Sequence, residues 1–184
     1  AIFITHHHND HIGGIGALLQ QFQVPVYGPK SSKLAAITHT VNEGDEVQMF
    51  GHTFQVLEIP GHTLDHIAYY STENVTGKAP VLFCGDTLFA GGCGRVFEGT
   101  YEMMHASLQK LSSLATNTQV FCAHEYTMAN LKFAKAVSPD DPVLAERFQV
   151  EQTKRDQDIP TVPTSIGVEL ATNPFLRCAD IELI

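Results

Sequence analysis

Four potential metal ligands fall within six residues near the start of this chain, in the segment Thr5-His6-His7-His8-Asn9-Asp10-His11. They follow directly on a short apolar run, Ala1 to Ile4, which reads as a buried strand. On an extended chain alternate side chains share a face, so His6 and His8 point together and His7 points away. Asp10 and His11 come where the chain turns into Ile12 to Phe22, a stretch that looks helical after its glycines. They can therefore face a second ion close to the first. The pattern H-x-H-x-D-H marks a two-metal hydrolase. A purification-tag remnant would be terminal, longer and uninterrupted by Asn-Asp, and strand-end surface residues rarely combine His and Asp at this spacing.

A centre of two ions needs more protein groups, and three later segments supply candidates. Gly61-His62-Thr63 follows Phe54 to Ile59, which alternates like a strand. Cys84-Gly85-Asp86-Thr87 follows the apolar run Val81-Leu82-Phe83 and ends in a glycine turn. Ala123-His124-Glu125-Tyr126 follows Gln119 to Cys122. Each candidate sits at the C-terminal end of a strand, where a sheet gathers site residues on one rim. One such histidine alone would be a loop histidine. Three equivalent positions with a matching upstream cluster make a metal site.

The motifs T-H-H-H-N-D-H at 5–11, G-H-T at 61–63 and G-D-T-L-F at 85–89 resemble the metallo-β-lactamase fold superfamily. G-C-G-R-V-F-E-G at 92–99, A-H-E-Y-T at 123–127 and N-P-F-L-R at 173–177 narrow the resemblance to its glyoxalase II (hydroxyacylglutathione hydrolase) branch. The resemblance spans nearly the whole chain. It implies an α+β fold, an αββα sandwich with a C-terminal helical extension. It also implies that His6, His8 and His62 hold one metal, that Asp10, His11 and His124 hold the other, and that Asp86 bridges them. Asp86, Asp10 and His11 are then the catalytic set. Arg95, Phe97 and Tyr126 match positions that contact the glutathione portion in the family. Mixed imidazole and carboxylate donors suit Zn²⁺ and also accept Fe or Mn.

Two such ions about 3.5–4 Å apart share a water and lower its pKa from ~15.7 toward ~7. The resulting hydroxide would attack the thioester carbonyl of S-D-lactoylglutathione, giving D-lactate and glutathione. The metals would also stabilise the tetrahedral oxyanion. A thiol leaving group, with a reference pKa near ~8.5, departs as thiolate without a strong general acid. A guanidinium fork at Arg95 suits a ligand with two carboxylates, and Gly91, Gly92 and Gly94 around it favour a binding loop over a solvated cation. Tyr126 offers a hydroxyl to a peptide group. His39, His52, His66 and His105 fill no ligand slot, with His52 read into a Gly-His hairpin turn. For these four a solvated role is the default, and His66, four residues beyond His62, is a candidate only for supporting a ligand.

No run is long enough to span a bilayer and no signal-peptide pattern is present, so no membrane partner is expected. A formal charge of −9 without a basic stripe argues against nucleic acid. Cys84, Cys93, Cys122 and Cys178 lack paired spacing, which suggests reduced thiols in a cytoplasm; Cys93, near the site, is read as packing. A monomer is expected.

Residues 1–124 read as the catalytic domain and 125–184 as a helical substrate-binding extension. A hairpin joins Glu46–Phe50 to Thr53–Ile59, and a helix runs from Tyr101 to Leu114 with Thr100 as its N-cap. Further helices are predicted before Pro139, from Val143 to Gln157, and from a Thr164 or Ser165 cap to Asn173. Family members carry strands ahead of the first motif and a basic helical tail after the last. Both regions are therefore expected to be incomplete, and a shortened sheet would expose a hydrophobic edge.

Three rivals stand against hydrolysis of a glutathione thioester. A persulfide dioxygenase uses a similar early motif with one iron, but its later segments differ from G-D-T-L-F and A-H-E-Y-T. A β-lactamase has no place for the G-C-G-R loop. An inactive metal-binding fragment of the fold would not need all seven ligands.

Overall fold

The computed structural model describes residues 1–31, 33–73, 77 and 79–178. The last six residues of the predicted extension thus lie outside the described residues. Two sheets face each other. A three-stranded parallel sheet is formed by β1 (Ile2–Phe3), β2 (Val26–Gly28) and β3 (His39–Thr40). A six-stranded sheet contains β4 (Glu46–Met49), β5 (His52–Glu58), β6 (Ile67–Ser71), β7 (Val81–Gly85), β10 (Gln119–Cys122) and β11 (Thr164–Ser165). Its order is β11-β10-β7-β6-β5-β4, antiparallel except where β7 meets β10. A small hairpin, β8 (Leu88–Phe89) with β9 (Gly92–Cys93), stands apart from both.

Strand alternation assigns the two faces of the large sheet. Phe54 and Val56 of β5, Ile67 and Tyr69 of β6 and Val81 of β7 turn toward Phe3 and Tyr27 of the small sheet. Their in-between neighbours Leu57, Ala68, Tyr70, Leu82 and Cys84 pack instead with Met104, Leu108 and Leu111 of α3 (Tyr101–Ser112) and with Ile166. Outside the small sheet, Ile15 of α2 (Ile15–Gln21) packs with Ile4, Val26 and Leu34. Helix, sheet, sheet, helix is the αββα order. Along the inter-sheet face runs an apolar groove of about 710 Å³, lined by Phe3, Phe54, Tyr69, Phe83 and Phe121.

The first ligand segment is tied down by the large sheet. The buried Tyr69 ring stacks on Phe3 at 4.4 Å, and its hydroxyl lies 3.0 Å from the Ile4 carbonyl and 3.2 Å from that of Tyr27. The Ile67 N–H donates to the Thr5 carbonyl at 2.9 Å. Those bonds end one residue before His6.

Helix ends follow side-chain chemistry. The Thr100 hydroxyl accepts from the Met103 N–H, the Asp141 carboxylate from those of Val143 and Leu144, and the Ser165 hydroxyl from that of Val168. These caps start α3, α5 (Pro142–Asp156) and α6 (Ile166–Thr172), while α4 (Thr127–Val137) ends before Pro139. Helix α3 stops at Ser112, two residues short of the predicted Leu114. Of the two predicted caps for α6 it is Ser165 that acts, whereas Thr164 belongs to β11 and turns its hydroxyl to Glu169. His52 is not in the hairpin turn but opens β5 opposite Met49, with its Nδ1 3.0 Å from Glu73.

Candidate metal centre

All seven predicted ligands come together at one rim of the large sheet. His6 and His8 lie on the extended stretch after β1, and Asp10 and His11 lie in the one-turn helix α1 (Asn9–Ile12). His62 follows β5, Asp86 follows β7 and His124 follows β10. The donor atoms of His6, His8 and His62 lie within 4.8 Å of one another, as do those of Asp10, His11 and His124 and those of His6, His11 and Asp86. Asp86 reaches both sides. One carboxylate oxygen is 3.2 Å from His11 Nε2, and the other is 3.5 Å from His62 Nε2 and 3.3 Å from His124 Nε2. His8 Nδ1 faces His62 Nε2 at 3.0 Å, and Asp10 lies 3.4 Å from His124 and 3.5 Å from His11.

This donor set fits divalent cations. Two donors on one tetrahedral ion at about 2.0–2.1 Å stand roughly 3.4 Å apart, close to the 3.0–3.5 Å separations here. Among the described residues, His6 Nε2, His11 Nε2 and Asp86 Oδ1 are buried and have no hydrogen-bond partner. Buried polar atoms left so need a reason, and an ion between them supplies one.

The backbone reaches this packing only with glycine at two places. Gly85 has φ +49°, and a Cβ there would stand 2.6 Å from Thr5 Oγ1 and 2.8 Å from the His66 ring. At Gly94 a Cβ would overlap the Asp86 carbonyl oxygen. Either substitution pushes Asp86 out of line.

Neighbouring groups fix which ring nitrogen faces the cluster. His62 Nδ1 donates to the Arg95 carbonyl at 2.7 Å, which leaves Nε2 as its donor. His66 is wholly buried; its Nδ1 lies 3.1 Å from the Ile67 carbonyl, and its Nε2 accepts the Asp86 N–H at 3.1 Å. The His66 ring also stacks on His6 at 4.5 Å. His66 thus holds Asp86 by the backbone and His6 by the ring face. The solvated role expected for His66 by default is overturned by its burial, which sequence spacing could not show because the Asp86 amide comes from a distant segment.

Charges sort accordingly. Burial, reinforced by His11, His62, His8 and His7, pulls His6 down to about 2, and burial likewise lowers His66 and His62. At His11 burial works downward, but Asp86 and Asp10 overcome it and raise the pKa. Burial would raise Asp86, yet His11, His124 and His62 lower it, so it is ionised at neutral pH. In the chelated protein His6, His66 and His62 stay neutral where the unfolded chain takes up protons. Stability should therefore hold above the unfolded pKa of 6.5 and fall as pH drops through it. Each fully shifted group contributes about 1.4 kcal/mol per pH unit. His11 works in the opposite sense and offsets part of this. Urea melts of chelated protein between pH 7.5 and 5.5 check this (about two units around the histidine range); a midpoint that rises on acidification contradicts it.

His7 points away from the cluster. Its Nδ1 is 2.9 Å from Asp65 and its Nε2 is 3.3 Å from Glu98. These three could hold a cation by spacing, but the Lys33 ammonium already sits 2.6 Å from Glu98 and 3.0 Å from His7. The group is a salt-bridge tie between loops.

Over the cluster opens a cleft of about 590 Å³, bordered by His8, Asp10, His62, Asp86 and His124 and walled by Phe89, Arg95, Phe97 and Tyr126. The structure thus brings Arg95, Phe97 and Tyr126 to the donors. Tyr126 stacks on His124 at 4.9 Å, and Arg95 lies 5.8 Å from the centre of the Phe97 ring. Phe89, which no motif singled out as a contact, stands edge-on to both His124 and Tyr126. Burial pushes the Cys93 thiol up to about 12, consistent with packing and not with a nucleophile.

Layer order and donor set together define a metallo-β-lactamase-fold metal site, and residues 1–124 match the family described as Metallo-beta-lactamase superfamily. Residues 125–184 match Hydroxyacylglutathione hydrolase C-terminus. The hydroxyacylglutathione hydrolase of Nitrosomonas eutropha is 53% identical over 186 residues, covering 100% of this chain and 70% of that protein. That of Pseudomonas aeruginosa PAO1 is 49% identical over 179 residues, covering 97% and 68%. The chain belongs to the hydroxyacylglutathione hydrolase family. Among solved structures, ETHE1 from Myxococcus xanthus is similar at 30% identity and a TM-score of 0.69, over 99% of this chain and 65% of that one. TTHA1623, solved in a di-iron-bound form, is similar at 28% identity and a TM-score of 0.64, over 96% and 77%.

Proposed function

We propose that this chain hydrolyses S-D-lactoylglutathione to D-lactate and glutathione at a centre of two divalent cations. His6, His8 and His62 would hold one ion and Asp10, His11 and His124 the other, with Asp86 between them. Zn²⁺ is the first choice for this donor set, and Fe or Mn suits it too. The observation that carries the reading is the position of the Asp86 carboxylate. It lies 3.2–3.5 Å from nitrogens of three histidines belonging to two separate groups, under a cleft that holds Arg95 and Tyr126.

When bound, two such cations supply an ionised water near neutral pH and polarise a carbonyl oxygen. The chain's own residues do the rest. Asp86, Asp10 and His11 would help hold the cations, with the Asp86 carboxylate facing histidines of both groups. The Arg95 guanidinium offers a planar fork to a carboxylate of the glutathione portion, while its carbonyl steadies His62. Tyr126 presents a half-exposed hydroxyl beside His124. No acid is needed at sulfur, because a thiol with a pKa near ~8.5 leaves as thiolate.

One chain supplies all seven donors, which supports a monomer as the acting form. Four free cysteines support a reducing cytoplasm, and among the described residues no helix is long and apolar enough to cross a membrane. Assaying lactoylglutathione hydrolysis beside oxygen consumption with glutathione persulfide tests the reading. Thioester turnover alone supports it; oxygen uptake without hydrolysis points to a mononuclear-iron oxygenase instead. Arg95→Ala should raise KM about tenfold with little change in kcat, the mark of lost uniform binding. An unchanged KM removes Arg95 from the substrate site.

A further inference from the structure

The β8–β9 hairpin is too short to hold its own shape, with two residues in each strand. Its turn is also buried, so the backbone groups of Phe89, Ala90, Gly91 and Gly92 need partners inside the protein. Beyond the pairing of Phe89 with Gly92 in the hairpin itself, side chains from α4, from α6 and from the residue after α6 supply partners. Glu169 of α6 accepts the Gly91 N–H at 2.8 Å. The Asn173 amide donates to the Gly92 carbonyl at 2.9 Å and to that of Phe89 at 3.3 Å. Asn130 of α4 donates to the Ala90 carbonyl at 3.0 Å.

Glu169 and Asn173 are wholly buried, and both Glu169 oxygens are bonded. Arg147 of α5 meets the second Glu169 oxygen at 2.5 Å, the Thr164 hydroxyl donates to that oxygen at 2.6 Å, and Asn173 donates to the first at 2.9 Å. A buried carboxylate paired and bonded on both oxygens is a rigid anchor; one missing a partner is not. The anchored hairpin carries Phe89, a wall of the cleft, and leads within two residues into Arg95.

We propose that Glu169, backed by Arg147 and assisted by Asn173 and Asn130, is a positioning residue that sets the substrate-facing wall of the cleft from the helical extension. The metal side has its own anchors: the Gly94 N–H on the Thr87 carbonyl at 3.1 Å and the Arg95 carbonyl on His62. Loosening the clamp therefore moves the wall and leaves the donors in place. The inference rests on reading this cleft as the thioester site.

Glu169→Gln and Asn130→Ala, in metal-loaded protein, test it by kinetics and by amide hydrogen exchange. Glu169→Gln should raise KM for lactoylglutathione about tenfold and Asn130→Ala about threefold, with kcat and metal per chain close to wild type. A short thioester lacking the glutathione peptide should be cleaved as by wild type. Exchange over residues 89–95 should quicken while strands β5 to β7 keep their protection. Unchanged KM, a loss confined to kcat and metal content, or unchanged exchange over 89–95 overturns the proposal. If Glu169→Gln does not fold, Asn130→Ala decides alone. If wild type fails to cleave lactoylglutathione, that defeats the functional reading, and the exchange measurement still decides the clamp.

Discussion

Asp86→Asn should lower kcat/KM for lactoylglutathione by at least about a hundredfold and weaken metal retention. The substitution keeps the shape of the side chain and removes its charge. That charge faces His11, His62 and His124 at 3.2–3.5 Å and is, among the described residues, the one acidic group reaching both sets of histidines. A neutral amide offers one acceptor oxygen and an NH₂ whose protons would point at a cation. The loss should therefore appear both in turnover and in metal bound per chain after dialysis. The fold should survive, because the Asp86 main chain is held separately by the His66 ring. Full turnover in this variant contradicts the assignment of Asp86.

His66→Leu should cost tenfold to about a hundredfold in turnover or metal affinity, although His66 is outside the donor set. Leucine roughly conserves volume but cannot accept the Asp86 N–H, which then lies buried without a partner. Such a group costs about 1–3 kcal/mol. The stacked support beneath His6 goes with it. Glutamine, which restores an acceptor, should recover part of the metal affinity. A merely space-filling role would leave leucine the better replacement, so the order of the two variants separates the accounts. Turnover of His66→Leu within about twofold of wild type (a difference of about 0.4 kcal/mol) contradicts the role given to His66.

That the candidate ligands converge was legible because short-range geometry determines it: alternation places His6 and His8 together, and three strand ends bring His62, Asp86 and His124 to one rim. The β4–β5 hairpin and the starts of α3, α5 and α6 were legible for a similar reason, since a capping side chain acts on amides two or three residues away. What stayed hidden depends on partners distant in sequence. Strands β2 and β3 are two or three residues long and acquire their identity only by pairing in parallel beside β1. His52 follows a glycine and reads as turn, yet pairing with Met49 makes it strand. Glu169 and Arg147 look like polar positions on solvated helices until packing brings them together 22 residues apart, beneath a hairpin 78 residues from Glu169. His66 belongs with these, its role being set by an amide on another strand.

The most direct measurement is a titration of chelated protein with Zn²⁺, following lactoylglutathione turnover against ions bound per chain. The account predicts no turnover without metal and a rise that completes only as the second ion binds. Turnover that persists in the fully chelated protein, or that saturates with a single ion, contradicts it.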